Sequence, residues 1–427
     1  MKPDGGRGPA SRYWIFLKQH PSLLGYGILL TLASSFGQTF FISLFVPSLL
    51  LEFGLSAAAF GSLYALATLG SALLLPAAGR GIDHIPLSRY TLLVLAGLCA
   101  SALLLASAGS VFVLGLSLLG LRLAGQGLSP HTGLTAMARY VPASRGKALS
   151  IASLGFPLGE GTLPLLVAGL LNVAGWRTGW FLSAGVVAAV FLPLSVRWLR
   201  TSEIELDPRK IVRLPYEEEG GQTATSGRPT SNRHWTLSEV LRDGRFWLLL
   251  PASLLPPFWA TGLILYQAPI AQIKGWSLTG MASAFVAYAV ARIVSSLAVG
   301  GAIDRWSARV LFPAAVLPMG VGVVFLDVFT GLWAAFAYLG LLGTTTGLNS
   351  NLKTALWAEL YGIRHLGAVK SLGAGMMVLS TAAAPLVVGV AVEQPDLVPA
   401  LLRSAVVSVV VGSTLALIAV RQRRAHP

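Results

Sequence analysis

Six side chains able to carry charge stand inside long apolar stretches of this sequence: Arg122, His131, Glu160, Arg292, Asp327 and Lys353. Placing an ionised group in hydrocarbon costs about 2.5–3.5 kcal/mol or more, so such residues are retained where they bind something or move a proton. Arg292 has no acidic residue within a turn on its own run, and its planar fork of donors matches a carboxylate. It reads as a hook for an anion, or as the partner of a carboxylate on another helix. Arg122 and Glu160 lie at comparable depth in consecutive runs and are candidates for a buried ion pair. That pair is either structural or switchable, with substrate or a proton on Glu160 releasing Arg122. Glu160 is the first candidate for proton coupling and His131 the second. Pro130 allows the second a plainer role, satisfying backbone groups freed at a kink. Lys353 reads as snorkelling toward an interface and Asp327 as interfacial. Gln38 sits in a polar patch at 34–39, facing a cavity or joining helices. Tyr64, Tyr288 and Tyr338 are candidates to line the same cavity. Three basic residues against two acidic ones in the runs bias the interior positive and favour an anionic ligand.

Other chemistries find no carrier. There is no glycine loop ending in Lys-Ser or Lys-Thr, no His-Glu-x-x-His and no Gly-x-Ser-x-Gly. No enzyme activity, metal or organic cofactor is therefore expected. Cys99, the single cysteine, lies in an apolar run and reads as a small hydrophobe.

The elements that must position these residues are membrane helices. Of 427 residues, 54% are apolar and only 11% charged, where soluble domains carry about 25% charged. Runs long enough to cross a hydrocarbon core about 30 Å thick recur throughout. The expected spans are 23–49, 56–78, 90–108, 111–140, 147–173 and 178–198, then 246–270, 279–300, 310–329, 332–360, 367–392 and 397–420. A cytoplasmic tail (1–22), a hydrophilic linker (199–245) and a second tail (421–427) flank two six-helix bundles (23–198 and 246–420). The net charge of +14 is no nucleic-acid footprint, because the basic residues sit in short gaps between runs. All but six of the 31 Lys and Arg fall on one side, which places both termini in the cytoplasm. Short loops suit a bacterial inner membrane.

Depth follows from helix rise. Arg292 precedes Asp304, at the cytoplasmic end of its span, by 12 residues, or roughly 18 Å, which is near the midplane. The two halves also repeat. At an offset of 221 residues Ser56 falls on Ser277, Gly79 on Gly300, Asp83 on Asp304, Gly146 on Gly367 and Pro164 on Pro385. Two parallel repeats place a binding site at their interface.

The segment Gly79-Arg80-Gly81-Ile82-Asp83 and its copy Gly300-Gly301-Ala302-Ile303-Asp304-Arg305 make the chain resemble the major facilitator superfamily. The first copy differs from the family pattern at His84 and Pro86. Arg122-Leu123-Ala124-Gly125-Gln126-Gly127 resembles a further family motif, and the Gly/Pro-rich segment 155–161 resembles one of antiporters with Phe156 inserted. The resemblance implies twelve helices, alternating access and function as a monomer. It implies a cytoplasmic latch that steadies the outward-open state, carried here by Asp83, with Arg139 as its partner, and by Asp304, with Arg305 a further residue of the gate. An Arg in the eighth span is similar to oxalate/formate and monocarboxylate carriers, though Tyr288 stands where the latter often have Asp. The function expected first is a proton-coupled or exchange carrier for a small organic anion. A multidrug exporter, suggested by segment 155–161, and a non-transporting membrane sensor are the alternatives.

Overall fold

A computed structural model describes residues 17–18, 20–141, 144–201, 235–362 and 364–422. Among these residues there is no strand. Nine helices are long and apolar enough to cross a membrane. The broken pair Pro21–Gly37 and Thr39–Phe53 forms α1, bent by 45°. The first bundle continues with α2 (Ala57–Asp83), α3 (Leu87–Ala106), α4 (Val111–Tyr140), α5 (Arg145–Leu171) and α6 (Val173–Thr201). The second holds α7 (Gly244–Leu265), α8 (Leu278–Trp306) and the shorter α9 (Ala314–Val328). It ends with α10 (Trp333–Tyr361), α11 (Leu366–Glu393) and α12 (Pro395–Arg421). This is the all-helical, twelve-segment, two-bundle architecture that the sequence predicts. Most of the linker expected at 199–245, and most of both tails, fall outside the described residues.

Local chemistry marks the repeat. Ser56 and Ser277, 221 apart, each cap the helix that follows, accepting from Ala59 N at 3.2 Å and Gly280 N at 3.0 Å. Two residues earlier, Gly54 and Gly275 both adopt positive φ (60° and 72°), a conformation that costs a side-chain-bearing residue but not glycine. Pro164 and Pro385 occupy equivalent interiors of α5 and α11. In hydrocarbon the orphaned carbonyls of such prolines are satisfied by neighbouring helices.

The expected spans 23–49 and 310–329 are among those interrupted. α1 breaks at Gln38, whose backbone is extended (φ −83°, ψ 151°). The break lets Gly37 lie against α4, where a Cβ would come within 2.1 Å of Leu121 O. The facing stretch of α4, Leu121–Leu128, is wound as a π-helix, and Ser129 Oγ donates five residues back to Ala124 O at 2.8 Å. The run expected at 310–329 divides instead into Ala308–Leu311, a 3₁₀ turn at Ala314–Val316 and Leu317–Val328, with prolines at 313 and 318.

The bundles meet through α2 against α11 and α5 against α8. Leu73, Phe112, Val173 and Leu297 are exposed on the outer surface, as expected of side chains that face lipid. An even number of crossings brings Pro21 and Arg421 to one face, called the terminal face below; the other is the opposite face.

Candidate functional site

Small residues and backbone hydrogen bonds seal the opposite half of the bundle interface. Gly61 of α2 lies where a Cβ would be 2.4 Å from Pro385 O of α11, and Gly389 faces Ala57 O in the same way at 2.8 Å. Tyr266 Oη donates to Ala57 O at 2.6 Å, Ala58 N donates to Glu393 Oε1 at 2.7 Å and Gln267 Nε2 donates to Ser43 Oγ at 2.6 Å. Each bond runs from one bundle to the other.

Below this seal a cavity of about 430 Å³ runs through the second bundle toward the terminal face. Tyr288 and Arg292 stand at its inner end. Asn349 and Lys353 follow along α10, with Trp357 and the exposed Lys370 nearest the mouth. Pro256, Pro257 and Met377 supply apolar wall. Among the described residues no carboxylate lines it, while Arg292, Lys353 and Lys370 do. A second cavity of about 440 Å³ between α5 and α8 also reaches Arg292, along Phe156, Pro157 and Ser296.

Arg292 is not free. Its Nη1 pairs with Glu160 Oε1 across the bundle interface, from α8 to α5. The Phe156 ring, one turn before Glu160, lies 5.8 Å from the guanidinium. Glu160 is buried and its second carboxylate oxygen has no protein partner. Of the two sequence readings of Arg292, the structure therefore shows the carboxylate on another helix. The expected Arg122–Glu160 pair does not form. Arg122 turns to α1 and α2, donating from Nη1 to Tyr64 Oη at 2.9 Å and to Thr39 Oγ1 at 3.3 Å. Its guanidinium sits 5.0 Å from the centre of the Tyr64 ring. Thr39 and Tyr64 are themselves 2.9 Å apart, so the three close a triangle with Arg122 and Tyr64 buried. Gln38 is adjacent in sequence but donates within α1, to Ser34 Oγ at 3.3 Å.

The sequence of the first bundle and part of the second, residues 27–283, matches the Major Facilitator Superfamily. The chain belongs to that superfamily. No curated protein matches it by sequence. Among solved structures, a bacterial homologue of the human lysosomal transporter Spinster, inward-facing and occupied, is similar over 97% of this chain and 96% of its own (17% identity, TM-score 0.64). The same homologue, unoccupied, gives 18% identity and TM-score 0.59 over 97% and 98%. A bacterial homologue of the iron transporter ferroportin, inward-facing, gives 19% and 0.62 over 95% and 99%. At these identities the likeness is one of fold. The protein is thus a membrane transporter of the alternating-access type, held here with the opposite half closed and the terminal half open.

The superfamily's loop motif behaves differently in the two bundles. Asp83 pairs with Arg139, whose other nitrogen donates to Ile82 O at 3.1 Å. This ties α2 to α4 within one bundle. Asp304 is exposed and makes no ion pair among the described residues, and Arg305 lies over the Trp306 ring at 5.0 Å. The carboxylate that gathers this loop is Glu359 at the end of α10, accepting from Ser307 Oγ at 2.7 Å, Ala308 N at 2.9 Å and Arg309 N at 3.3 Å. Sequence reasoning missed it, because Glu359 has no counterpart in the motif.

His131 stands apart from the central pair. It is exposed, with Nε2 3.4 Å from where a Cβ would lie on Gly79, at the terminal end of α2. Tyr288 lines the cavity and reaches Thr346 Oγ1 at 3.4 Å. Tyr338 is fully buried, its hydroxyl without a partner, and does not line the cavity. Asp327, at the end of α9, pairs with Arg403 at 3.3 Å. Thr39, Phe156, Asn349 and Trp357 join the site; of these Thr39 lay in the polar patch at 34–39 and Phe156 in segment 155–161, whereas Trp357, an uncharged residue in an apolar run, carried no sequence signal.

Proposed function

We propose that this transporter carries a small organic anion, of the monocarboxylate kind, and that Arg292 is the cation that binds it, the substrate carboxylate taking the place of Glu160. The observation that carries the reading is the cavity lining: Arg292, Lys353 and Lys370 face it and, among the described residues, no carboxylate does. Glu160 is then the resting partner of Arg292. An incoming carboxylate, or a proton on Glu160, releases the guanidinium and loosens the tie between α5 and α8. The cycle is either exchange of anions or anion transport with a proton, and the resemblance to oxalate/formate and monocarboxylate carriers agrees with both. His131 is far from this exchange and is assigned no part in it. The loops that carry Asp83 and Asp304 meet across the terminal half as the latch when it closes.

The basic side chains on the terminal face make it the cytoplasmic one, so the observed state is open to the cytoplasm. The two bundles, 23–198 and 246–420, are joined by a cytoplasmic linker, and one chain suffices for transport.

A thermal-stability screen tests the substrate class, because a ligand that binds the native state raises its apparent stability. Small carboxylates raise the unfolding temperature of the purified protein, and neutral isosteres do not. Stabilisation by neutral or cationic compounds alone would replace this reading with that of an exporter of hydrophobic compounds.

A further inference from the structure

Lys353 is the charge in the cavity that the pairing of Arg292 with Glu160 leaves unexplained. Gly347 of α10 packs on the backbone of Arg292. Lys353 is six residues further on, about 9 Å nearer the terminal face. Among the described residues no carboxylate lies within ion-pair distance of it. Its Nζ donates to Ser253 O of α7 at 2.5 Å. The reason that carbonyl is available is Pro257, four residues on, which has no N–H to give back. Lys353 therefore rests on a kink carbonyl, a weak partner for a full charge in a low-dielectric space.

Its neighbours form a strip. Asn349, Lys353 and Trp357 are spaced four apart on one face of α10, and all three line the cavity. Asn349 is only 6% exposed, and one end of its amide has no hydrogen-bond partner. Its Nδ2 donates one N–H to Thr345 O at 3.0 Å and has a second to give. Trp357, with Pro256 and Met377, supplies apolar surface beside the charge.

We propose that Asn349, Lys353 and Trp357 form a second binding station, for a single carboxylate bearing a small apolar body, occupied while Arg292 is still held by Glu160. Lys353 is the buried cation beside this apolar surface and Lys370 the exposed one at the mouth, so a carboxylate reaches Lys353 past a second positive charge. The station lies between Arg292 and the mouth, where an anion entering or leaving must pass. This rests on the organic-anion reading and adds a site to it.

The test is calorimetric titration of the full-length protein in detergent with benzoate, and with benzyl alcohol as the neutral control. Lys353→Met weakens benzoate binding about tenfold or more, the usual worth of a charge-assisted hydrogen bond. Arg292→Met still binds benzoate in this static assay. The double variant Pro257→Ala/Lys353→Met restores an N–H partner to Ser253 O and so removes any purely structural deficit. Its binding stays weak. Recovery of affinity in the double variant would make Lys353 a support for the kink and overturn the proposal. Unchanged benzoate affinity in Lys353→Met, with transport still dependent on Arg292, would overturn the station and leave the anion carrier standing. Failure of every carboxylate both to bind and to be transported would remove the two together.

Discussion

Replacing Glu160 with Gln keeps the shape of the side chain and removes the charge that faces Arg292. The carboxylate side chain is 8% exposed and the guanidinium 23%. Removing one partner of a fully buried pair costs about 3–5 kcal/mol, because the other charge is left uncompensated. Here the partial exposure of Arg292 to the cavity lets water take up some of that cost, and a hydrogen bond between charged groups is worth about 1.5–3 kcal/mol net. The expected loss is therefore about 2 kcal/mol. Arg292→Met costs a similar amount by leaving Glu160 alone, and the double variant costs little more than either single one. The coupling energy from the cycle is about 1.5–2 kcal/mol, measured by equilibrium unfolding in mixed micelles. Additivity within about 0.5 kcal/mol would show that the two groups do not stabilise each other across the bundle interface. The reasoning about a resting pair would then be wrong.

Tyr64→Phe takes away the nearer acceptor of Arg122, leaving Thr39 at 3.3 Å. With Arg122 4% exposed, stability falls by about 2 kcal/mol, read by unfolding in micelles; an unchanged midpoint would mean the triangle is not structural. Gly61→Val puts a side chain where a Cβ already lies 2.4 Å from Pro385 O. α2 and α11 then cannot close, and a cysteine introduced at Ser43 becomes reactive to an impermeant thiol reagent applied from the opposite face. Cys99 is the single native cysteine, so the background is small. Labelling no faster than in the Gly61 parent carrying the same cysteine would refute the seal.

The architecture was legible in the sequence because it rests on run length and charge asymmetry. Ser56 with Ser277 and Pro164 with Pro385 showed the repeat before any coordinates. The ionisable residues were legible too, since a charge in an apolar run is conspicuous. Their partners were not. A soluble helix reveals its buried face by alternating polarity, but a membrane helix meets lipid and protein with equally apolar sides. The rotation of α4 and α5 about their axes was therefore hidden. Nearness along the chain favoured Arg122 with Glu160, whereas the fold sets α5 against α8 and turns Arg122 toward Thr39 and Tyr64. Tyr338 was misjudged for the same reason. The break in α1 had its cue in Gly37 and Gln38, but that cue has meaning only once the backbone of α4 is known to press there. The role of Lys353 required Pro257, nearly a hundred residues earlier, to be placed beside it.

The central claim is that this carrier moves small organic anions through Arg292. It is met most directly by counterflow of labelled carboxylates into proteoliposomes preloaded with the same unlabelled anion, for the parent and for Arg292→Met. The account predicts accumulation of at least one small monocarboxylate in the parent, and flux at the level of empty liposomes in Arg292→Met. Equal accumulation by both would contradict it, because the anion would then cross without the cation assigned to it.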